Sequence, residues 1–409
     1  MRRAVAIACA LWLALAGPAQ AQEDASLRRA LATSMRAAGP ASGAYVLDAT
    51  GRRVLFAWRA GVPRILASNT KVFTTAAALE RLGPASTLST RVVGSGSLDD
   101  DGTWRGDLYL RGGGDPTFGS GPFVRRAYGT GASVEALAAK LEAAGIAEVR
   151  GRVLGDEGRF DALRGGPDSR YGVSRDIGPL SALSFNRGLA NERGTAFQAN
   201  PPAFAAGRLD AALERRGITV RGAPRAGLAL AGAAELAAVE SPALARLAQI
   251  TNKRSDNFFA ETLLKAIGAR DGGPGTTAAG ARVTTAFARE LGARPRLADG
   301  SGLARSNRAS PRHVATALDR LRNRDLYPAF FESLPIAGRD GTLRDRMRSG
   351  PARGRCRAKT GTLRKVSTLS GYCFAGGSTT VFSILMNRVG PTGARRLQDR
   401  MVNAIARRR

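Results

Sequence analysis

The chain has 409 residues, 44% of them apolar, so it can bury a full core, and two or more domains are expected. The formal net charge of +29 indicates an anionic neighbourhood, such as nucleic acid, a membrane surface or an acidic cell-wall polymer, or else an arginine-rich solvated surface. The only histidine is His313, which excludes histidine-rich zinc sites and leaves one candidate for any Ser-His-Asp triad.

Residues 1–21 have the pattern of a secretory signal peptide. Arg2 and Arg3 precede an apolar run over 4–16, and Ala19-Gln20-Ala21 is a small-x-small cleavage site. The run is too short to span a membrane, and no later stretch is long and apolar enough, so no transmembrane segment is expected in the mature chain. We therefore expect export to the periplasm or the extracellular cell wall, which argues against a nucleic-acid partner.

The predicted elements describe an α+β domain that is split by an insertion. Periodicity and turn residues predict elements in this order: a helix over 26–37, strands over 43–47 and 53–58, a helix over 72–82, short strands with two helices (133–144 and 202–215) over 87–239, helices from Ser241 and over 258–267, strands over 356–362, 366–375 and 380–386, and a helix over 394–407. Ser241 is predicted to cap its helix, with Pro242 at the first position.

His313 lies in the first turn of another predicted helix, which Ser310 caps and Pro311 opens. A surface histidine is the favoured interpretation. The chain also has no G-x-S-x-G elbow.

Lysine is scarce. The 62 basic residues include only six lysines, and arginine occupies the other positions: the lysines are Lys71, Lys140, Lys253, Lys265, Lys359 and Lys365. Arginine does not act as a proton acceptor in proteins, whereas a partly buried lysine does. The positions that keep lysine are therefore candidates for chemistry.

The first candidate pair is Ser68 and Lys71, at the start of the helix over 72–82. A spacing of three residues places both side chains on one helix face, where a lysine of lowered pKa can take the serine proton. The helix N-terminus adds a positive dipole end beside the serine. The pair by itself is a weak signal.

Two further motifs follow in order. Residues 252–257, Asn-Lys-Arg-Ser-Asp-Asn, fall in the break between two helices, and Lys359-Thr360-Gly361-Thr362 falls on a strand beside a hairpin turn. A strand edge with a glycine lets a peptide substrate pair with the backbone while Lys359 and Thr360 face its carboxylate. Each motif alone is compatible with solvated polar residues, and the ordered set of three is what makes the signal specific.

The set S-x-x-K, S-D-N and K-T-G resembles the active site of penicillin-binding proteins and serine β-lactamases. The whole chain is most similar to the class C, low-molecular-mass penicillin-binding proteins, the D-alanyl-D-alanine carboxypeptidase/endopeptidase family. Further segments carry the resemblance: Gly114-Asp115-Pro116-Thr117, residues 181–186, Asp299-Gly300-Ser301-Gly302-Leu303 with Arg305 and Asn307, residues 334–338, and Gly341-Thr342-Leu343.

The resemblance implies a transpeptidase-like domain, an antiparallel sheet with helices on both faces, formed by residues 22–86 and 240–409. Residues 87–239 are then an inserted α+β domain. The stretch 186–202 is short where many members have a further small β domain, so that domain is expected to be reduced or missing.

The resemblance also assigns roles. Ser68 is the acylated nucleophile and Lys71 its base; Ser255 relays the proton to the leaving D-alanine, with Lys253 and Asn257 in support. Lys359 and Thr360 hold the terminal carboxylate, and Gly361 belongs to the substrate-binding strand. The backbone N–H groups of Ser68 and Thr362 form the oxyanion hole. The expected partners are peptidoglycan peptides and β-lactam inhibitors, and no metal or cofactor is implied.

Two alternatives remain open. One is a β-lactamase or esterase on the same scaffold, although the E-x-x-L-N motif of class A β-lactamases is absent. The other is a non-catalytic wall-binding relic. The resemblance further implies that Asp156 and Arg305 bind the charged end of a diamino acid in the stem peptide; a turn aspartate and a solvated arginine are the equally weighted alternative.

After loss of Cys9 with the leader, the mature chain has two cysteines, Cys356 and Cys373. They are equidistant from the expected hairpin turn between Arg364 and Lys365, so they face each other across two antiparallel strands. In an oxidising compartment this arrangement favours a cross-strand disulfide over two buried thiols.

Overall fold

The structure is a computed structural model, and it describes residues 18–191, 193–269 and 273–408. The greater part of the predicted leader, residues 1–17, lies outside the described residues. The first helix begins at Pro18 rather than near Ser26, so it includes the predicted cleavage site. None of the helices in the described residues combines the length and the apolar character needed to cross a membrane.

The described residues contain eleven α-helices and twelve strands. The helices are α1 (Pro18–Ala37), α2 (Thr70–Leu82), α3 (Gly121–Tyr128), α4 (Val134–Ala143), α5 (Pro201–Glu214), α6 (Leu244–Lys253), α7 (Asn257–Gly268), α8 (Thr277–Glu290), α9 (Pro311–Leu321), α10 (Tyr327–Ser333) and α11 (Pro391–Arg407). The strands are β1 (Ser42–Asp48), β2 (Arg53–Trp58), β3 (Arg64–Ile65), β4 (Ser89–Leu98), β5 (Thr103–Gly112), β6 (Glu148–Asp156), β7 (Thr219–Ala226), β8 (Ala234–Glu240), β9 (Arg308–Ala309), β10 (Cys356–Leu363), β11 (Val366–Ala375) and β12 (Ser378–Asn387).

The first sheet joins the two ends of the chain. Its five strands have the order β10-β11-β12-β1-β2, and every neighbouring pair is antiparallel. Strand β1 pairs with β12 from Ser42 opposite Met386 to Asp48 opposite Thr380. Strand β10 is therefore at the edge of the sheet. Ala337 N donates to Cys356 O (2.9 Å) and Ala358 N donates to Pro335 O (3.0 Å) on its outer side, which leaves the part after Ala358 open for pairing.

Helices cover both faces of this sheet. Successive side chains of β12 point to opposite faces, so the strand contributes apolar residues to two cores. Ile384 and Met386 pack with α1 and α11, whereas Val381 and Leu385 pack with α2, α6, α7 and α9. The predicted fold class, an antiparallel sheet between helical layers in an α+β chain, is confirmed.

A second five-stranded sheet has the order β7-β6-β5-β4-β8 and mixes parallel with antiparallel pairs. Helices α4 and α5 pack on one face, where Leu137 and Leu209 share a hydrophobic core with Val92 and Val153. All five strands fall within the predicted insertion or one residue beyond it. That the range 87–239 is an independent domain, and that a third domain is missing at 186–202, stay predictions.

The predicted cap at Ser241 is wrong. Helix α6 begins at Leu244, and Ala243 precedes it. The Ser241 hydroxyl instead accepts from Leu88 N (2.9 Å) and donates to Pro242 O (2.7 Å), while Ser241 N donates to Leu88 O (3.0 Å). These bonds join the two segments, at Leu88 and Ser241, where the chain passes between the first and second sheets. Local capping rules do not include a partner so distant in sequence.

Ser310 does cap α9, because its hydroxyl accepts from His313 N at 3.1 Å. His313 is partly exposed in the first turn of that helix, as expected.

The hairpin β10–β11 has the expected register. Cys356 is directly opposite Cys373, and a disulfide joins the two. Leu363 pairs with Val366, so Arg364 and Lys365 form the two-residue turn, and Lys365 has a left-handed φ of 60°.

Candidate active site

The three motifs meet where the start of α2, the α6–α7 break and β10 come together. Ser68 lies on a short 3-10 turn, Ala67–Asn69, directly before α2. Ala67, directly before Ser68, has a left-handed φ of 47°, which is a strained value for alanine. Ser255 has φ 57° in the break between α6 and α7. Strained backbone of this kind concentrates at functional sites.

Lys71 is fully buried and connects two of the motifs. Its Nζ donates to Ser68 Oγ (3.2 Å), to Asn257 Oδ1 (2.7 Å) and to Ser301 O (2.6 Å). Burial lowers the pKa of Lys71 to about 8, against the opposing effect of the nearby carboxylates Asp299, Glu261 and Asp256. A substantial neutral fraction beside a serine hydroxyl is what a general base requires.

Two buried acids, Glu261 and Asp299, hold the loop that supports Lys71. Glu261 accepts from Ser301 N (2.7 Å) and Gly300 N (3.1 Å), and Asp299 accepts from Gly302 N (2.7 Å) and Ala304 N (2.6 Å). Burial, followed by the charge of Asp299, raises the pKa of Glu261 to about 7. These bonds fix the Ser301 carbonyl, which accepts the hydrogen bond from Lys71 Nζ.

Lys359 connects the third motif to the second. Its side chain is buried, and its Nζ donates to Ser255 Oγ and to Thr360 O, both at 2.9 Å. Burial, followed by the positive charge of Lys71, lowers the pKa of Lys359 well below its ordinary value. A substrate carboxylate that approaches this amine raises its pKa again, because an opposite charge favours the protonated form.

Gly361 allows β10 to pass close to Ser68. A Cβ at Gly361 would lie 2.2 Å from Thr368 Oγ1 and 2.9 Å from Ser68 N, which leaves no space for a side chain. Asn69 fastens the same two elements, since its Nδ2 donates to Lys359 O (3.1 Å) and Thr368 Oγ1 (2.8 Å). The serine thus faces an edge strand whose outer side, after Ala358, is free to pair with an extended peptide.

The other predicted contact residues surround this centre. Lys253 forms an ion pair with Asp340, Thr360 Oγ1 donates to Thr342 Oγ1 at 2.8 Å, and the exposed Thr362 accepts from Arg395 at 3.1 Å. The first two contacts place the loop that precedes β10 beside the second and third motifs, and the last joins β10 to α11.

Among the described residues, Asp156 and Arg305 do not contact each other and share no hydrogen-bond partner. Asp156 ends β6, is 3% exposed, and accepts from Gly158 N (2.7 Å) and Ala229 N (3.2 Å). Arg305 is exposed and donates to Arg364 O at the β10–β11 turn (3.1 Å). Arg305 therefore lies near the candidate strand, whereas Asp156 is engaged within the second sheet; their joint role in specificity stays a prediction.

Sequence reasoning missed Glu261 and Arg187. Glu261 had a local signal: it is one helical turn after Asn257, as a charged residue in the apolar face formed by Phe258, Leu264 and their neighbours in α7. Arg187 pairs with Asp256 of the second motif from a distant segment, and no local pattern indicates that contact. Among the described residues no three His, Cys, Asp or Glu side chains cluster as metal ligands.

Comparison with known proteins points to one family of peptidases. The sequence profile of the D-Ala-D-Ala carboxypeptidase 3 (S13) family matches residues 24–196 and 188–408. The chain is 30% identical over 431 residues to a D-alanyl-D-alanine carboxypeptidase of Actinomadura sp. (strain R39), with 85% of this chain and 78% of the relative covered. It is 31% identical over 391 residues to carboxypeptidase DacB of Mycolicibacterium smegmatis, with 90% and 82% covered.

Solved structures agree on the fold. Penicillin binding protein 4 (dacB) from Haemophilus influenzae superposes with a TM-score of 0.78 at 20% identity, over 91% of this chain and 97% of that one. A penicillin G acylated predatory endopeptidase from Bdellovibrio bacteriovorus reaches a TM-score of 0.53 at 18% identity, over 89% and 91%. The chain belongs to the D-Ala-D-Ala carboxypeptidase 3 (S13) family, and the predicted class of serine D-Ala-D-Ala carboxypeptidase is confirmed.

Proposed function

We propose that Ser68 is the nucleophile and Lys71 its general base in a carboxypeptidase that removes the terminal D-alanine from peptidoglycan stem peptides. The observation that carries the assignment is the 3.2 Å contact between Lys71 Nζ and Ser68 Oγ, together with the lowered pKa of that lysine. Neutral Lys71 takes the hydroxyl proton while Ser68 Oγ bonds to the scissile carbonyl carbon.

The oxyanion that forms is held by the backbone N–H groups of Ser68 and Thr362. The closeness of β10 to Ser68 at Gly361 supports this assignment. The C–N bond then breaks, and the proton taken by Lys71 reaches the leaving amine of D-alanine through the Ser255 hydroxyl. Water attacks the acyl-enzyme in a second round with the same base, which releases the shortened peptide and restores Ser68.

Lys359 and Thr360 are proposed to bind the terminal carboxylate, and Asn257 and Lys253 to support the centre. Asn257 Oδ1 orients the Lys71 amine (2.7 Å), and Lys253 holds Asp340 of the loop before β10. Lys359 already contacts both Ser255 and its own strand, so a carboxylate bound there lies beside the proton relay.

Fluorescent penicillin labelling tests the chemistry. A lasting adduct that is absent in Ser68→Ala supports a penicillin-binding peptidase. Rapid turnover of the adduct indicates a β-lactamase instead, and the absence of any adduct indicates a non-catalytic relic.

We propose D,D-endopeptidase activity as a second activity of the same centre. The open edge of β10 leaves space for a substrate that continues beyond the scissile bond. Digestion of purified peptidoglycan, with products identified by mass spectrometry, separates the two: released D-alanine reports carboxypeptidase action, and loss of cross-linked dimers reports endopeptidase action.

Export and stem-peptide specificity belong to the same proposal. The leader-like residues 1–21 support a periplasmic or extracellular location, which N-terminal sequencing of the secreted protein checks. Arg305 and Asp156 are proposed to bind the charged end of a diamino acid in the stem peptide, with Arg305 on the side-chain carboxylate. Arg305→Ala then impairs hydrolysis of peptides with that carboxylate more than of peptides without it, and an equal loss on both removes the role.

A further inference from the structure

A cavity of about 760 Å³ opens where the second sheet meets the far end of α7. Strands β4, β5 and β8 contribute one wall, and Ala269, Gly273 and Pro274 contribute the other. The volume lies within the range of about 300–1,000 Å³ that is usual for ligand sites. None of the proposed catalytic residues lines this cavity.

Three arginines, Arg91, Arg111 and Arg159, project into the cavity. Arg91 on β4 is directly opposite Arg111 on the antiparallel β5, and like charges in that position are destabilising. Burial and the positive charges of Arg111 and Arg91 lower the pKa of Arg159, so the three guanidinium groups are close enough to repel one another.

The acids around the cavity compensate for two of these charges. Arg91 forms an ion pair with Glu235 (3.2 Å) and Arg111 with Asp156 (3.4 Å). Arg159 has no ion pair in the part of the chain that the structure describes. Another nearby acid, Glu240, accepts from the hydroxyls of Thr87 and Ser89. Within the described residues, Arg159 is therefore the cavity arginine that lacks a carboxylate partner.

The cavity is remote from the candidate active site. Helix α7 begins at Asn257 in the site and ends at Gly268 beside the cavity. A helix of 12 residues is about 18 Å long, so one ligand group in the cavity does not reach Ser68. A polymer, however, is long enough to contact both.

We propose that this cavity is an accessory site for an anionic group, phosphate or carboxylate, of a cell-wall polymer. Guanidinium groups bind both anions with paired hydrogen bonds, and an anion between Arg91, Arg111 and Arg159 removes their mutual repulsion. The catalytic chemistry does not account for the net charge of +29, and an anion site at these arginines explains part of it.

Binding of labelled oligomers to the full mature protein, followed by fluorescence anisotropy at low salt, tests the proposal. A glycerol-phosphate oligomer supplies phosphodiesters, a glutamate oligomer supplies carboxylates, and dextran is the neutral control. The wild-type protein binds at least one of the charged oligomers and not dextran, and the preferred oligomer identifies the anion. Arg159→Gln weakens that binding about tenfold, as loss of a charge-assisted hydrogen bond predicts, and Arg159→Lys weakens it less.

Arg225→Gln is the matched control, because Arg225 is exposed on the outer strand β7 of the same sheet and does not line the cavity. This change leaves binding within about twofold, whereas Glu235→Gln, which frees Arg91, tightens it about threefold. All variants keep wild-type penicillin acylation, which separates this site from the proposed catalytic function. Equal weakening by Arg159→Gln and Arg225→Gln, or failure of both charged oligomers to bind, overturns the proposal.

Discussion

Arg187 forms a bidentate ion pair with Asp256, in which Nη1 donates to Oδ2 at 2.7 Å and Nη2 donates to Oδ1 at 3.1 Å. The same guanidinium lies over the rings of Phe258 and Phe259, at 5.1 and 5.6 Å from their centroids. Asp256 also caps α7 by accepting from Phe259 N at 3.0 Å. A residue that precedes α5 therefore holds the aspartate between Ser255 and Asn257.

Arg187→Lys tests this positioning role. Lysine keeps the charge but cannot form the paired bonds, so we expect penicillin acylation to fall about tenfold, with loss of roughly 1–2 kcal/mol of unfolding free energy. Arg164→Lys is the control, because Arg164 makes a similar two-armed pair with Glu157 (2.5 and 2.6 Å) but contacts none of the three motifs. If both variants lose acylation in proportion to stability, Arg187 has no positioning role.

Ser68→Ala is expected to abolish both acylation by penicillin and release of D-alanine while the melting temperature stays near that of the wild type. Lys71→Arg should be almost as damaging, because arginine keeps the positive charge but cannot accept the proton. Stopped-flow acylation measures both variants. Near-normal acylation by Lys71→Arg would show that Lys71 is not the base.

The pH dependence follows from the pKa of Lys71, which burial lowers to about 8. Only the neutral amine accepts a proton, so the acylation rate rises with pH and levels off above about pH 8; below the inflection it falls about tenfold per pH unit. The second-order acylation constant between pH 6 and 9.5 checks this. A rate that stays flat across that interval contradicts the assignment.

Glu261→Gln is expected to move that inflection to lower pH, because the charge of Glu261 raises the pKa of Lys71. Glutamine has one acceptor oxygen where the carboxylate has two, so the loop at Gly300 and Ser301 also loses about 1–3 kcal/mol of stabilisation. The pH profile and a thermal melt separate the two effects. A loss of stability with an unmoved inflection would make Glu261 a purely structural residue.

The disulfide between Cys356 and Cys373 braces the strand that carries Lys359. Thiol titration of denatured, unreduced mature protein should find almost no free thiols, and two per chain would exclude the bridge in solution. Replacing both cysteines by alanine is expected to lower the unfolding free energy by at most roughly 3 kcal/mol, because the closed loop is short. The penicillin acylation rate of the same variant shows how far the disulfide also positions β10, the strand proposed to bind the substrate.

The sequence alone was sufficient for the three motifs, most element positions and the hairpin register of Cys356 and Cys373, because these depend on neighbours within a few turns or across one tight turn. The scarcity of lysine also pointed to Lys71, Lys253 and Lys359, which belong to the three motifs. Lys265, however, is as buried as Lys71 and Lys359, and it pairs with Asp161 outside the motifs.

Only the tertiary structure decided which distant groups complete the site. Arg187 and Asp340 each contact a motif residue that belongs to another element, and Glu261 holds the loop whose Ser301 carbonyl accepts from Lys71. The bonds between Ser241 and Leu88 replace a cap that the local pattern favours. A local pattern records propensity and periodicity, whereas a buried charge or hydroxyl takes whichever partner the packed fold brings within hydrogen-bond distance. The pKa values of Lys71 and Lys359 arise in the same way, from burial that no local window contains.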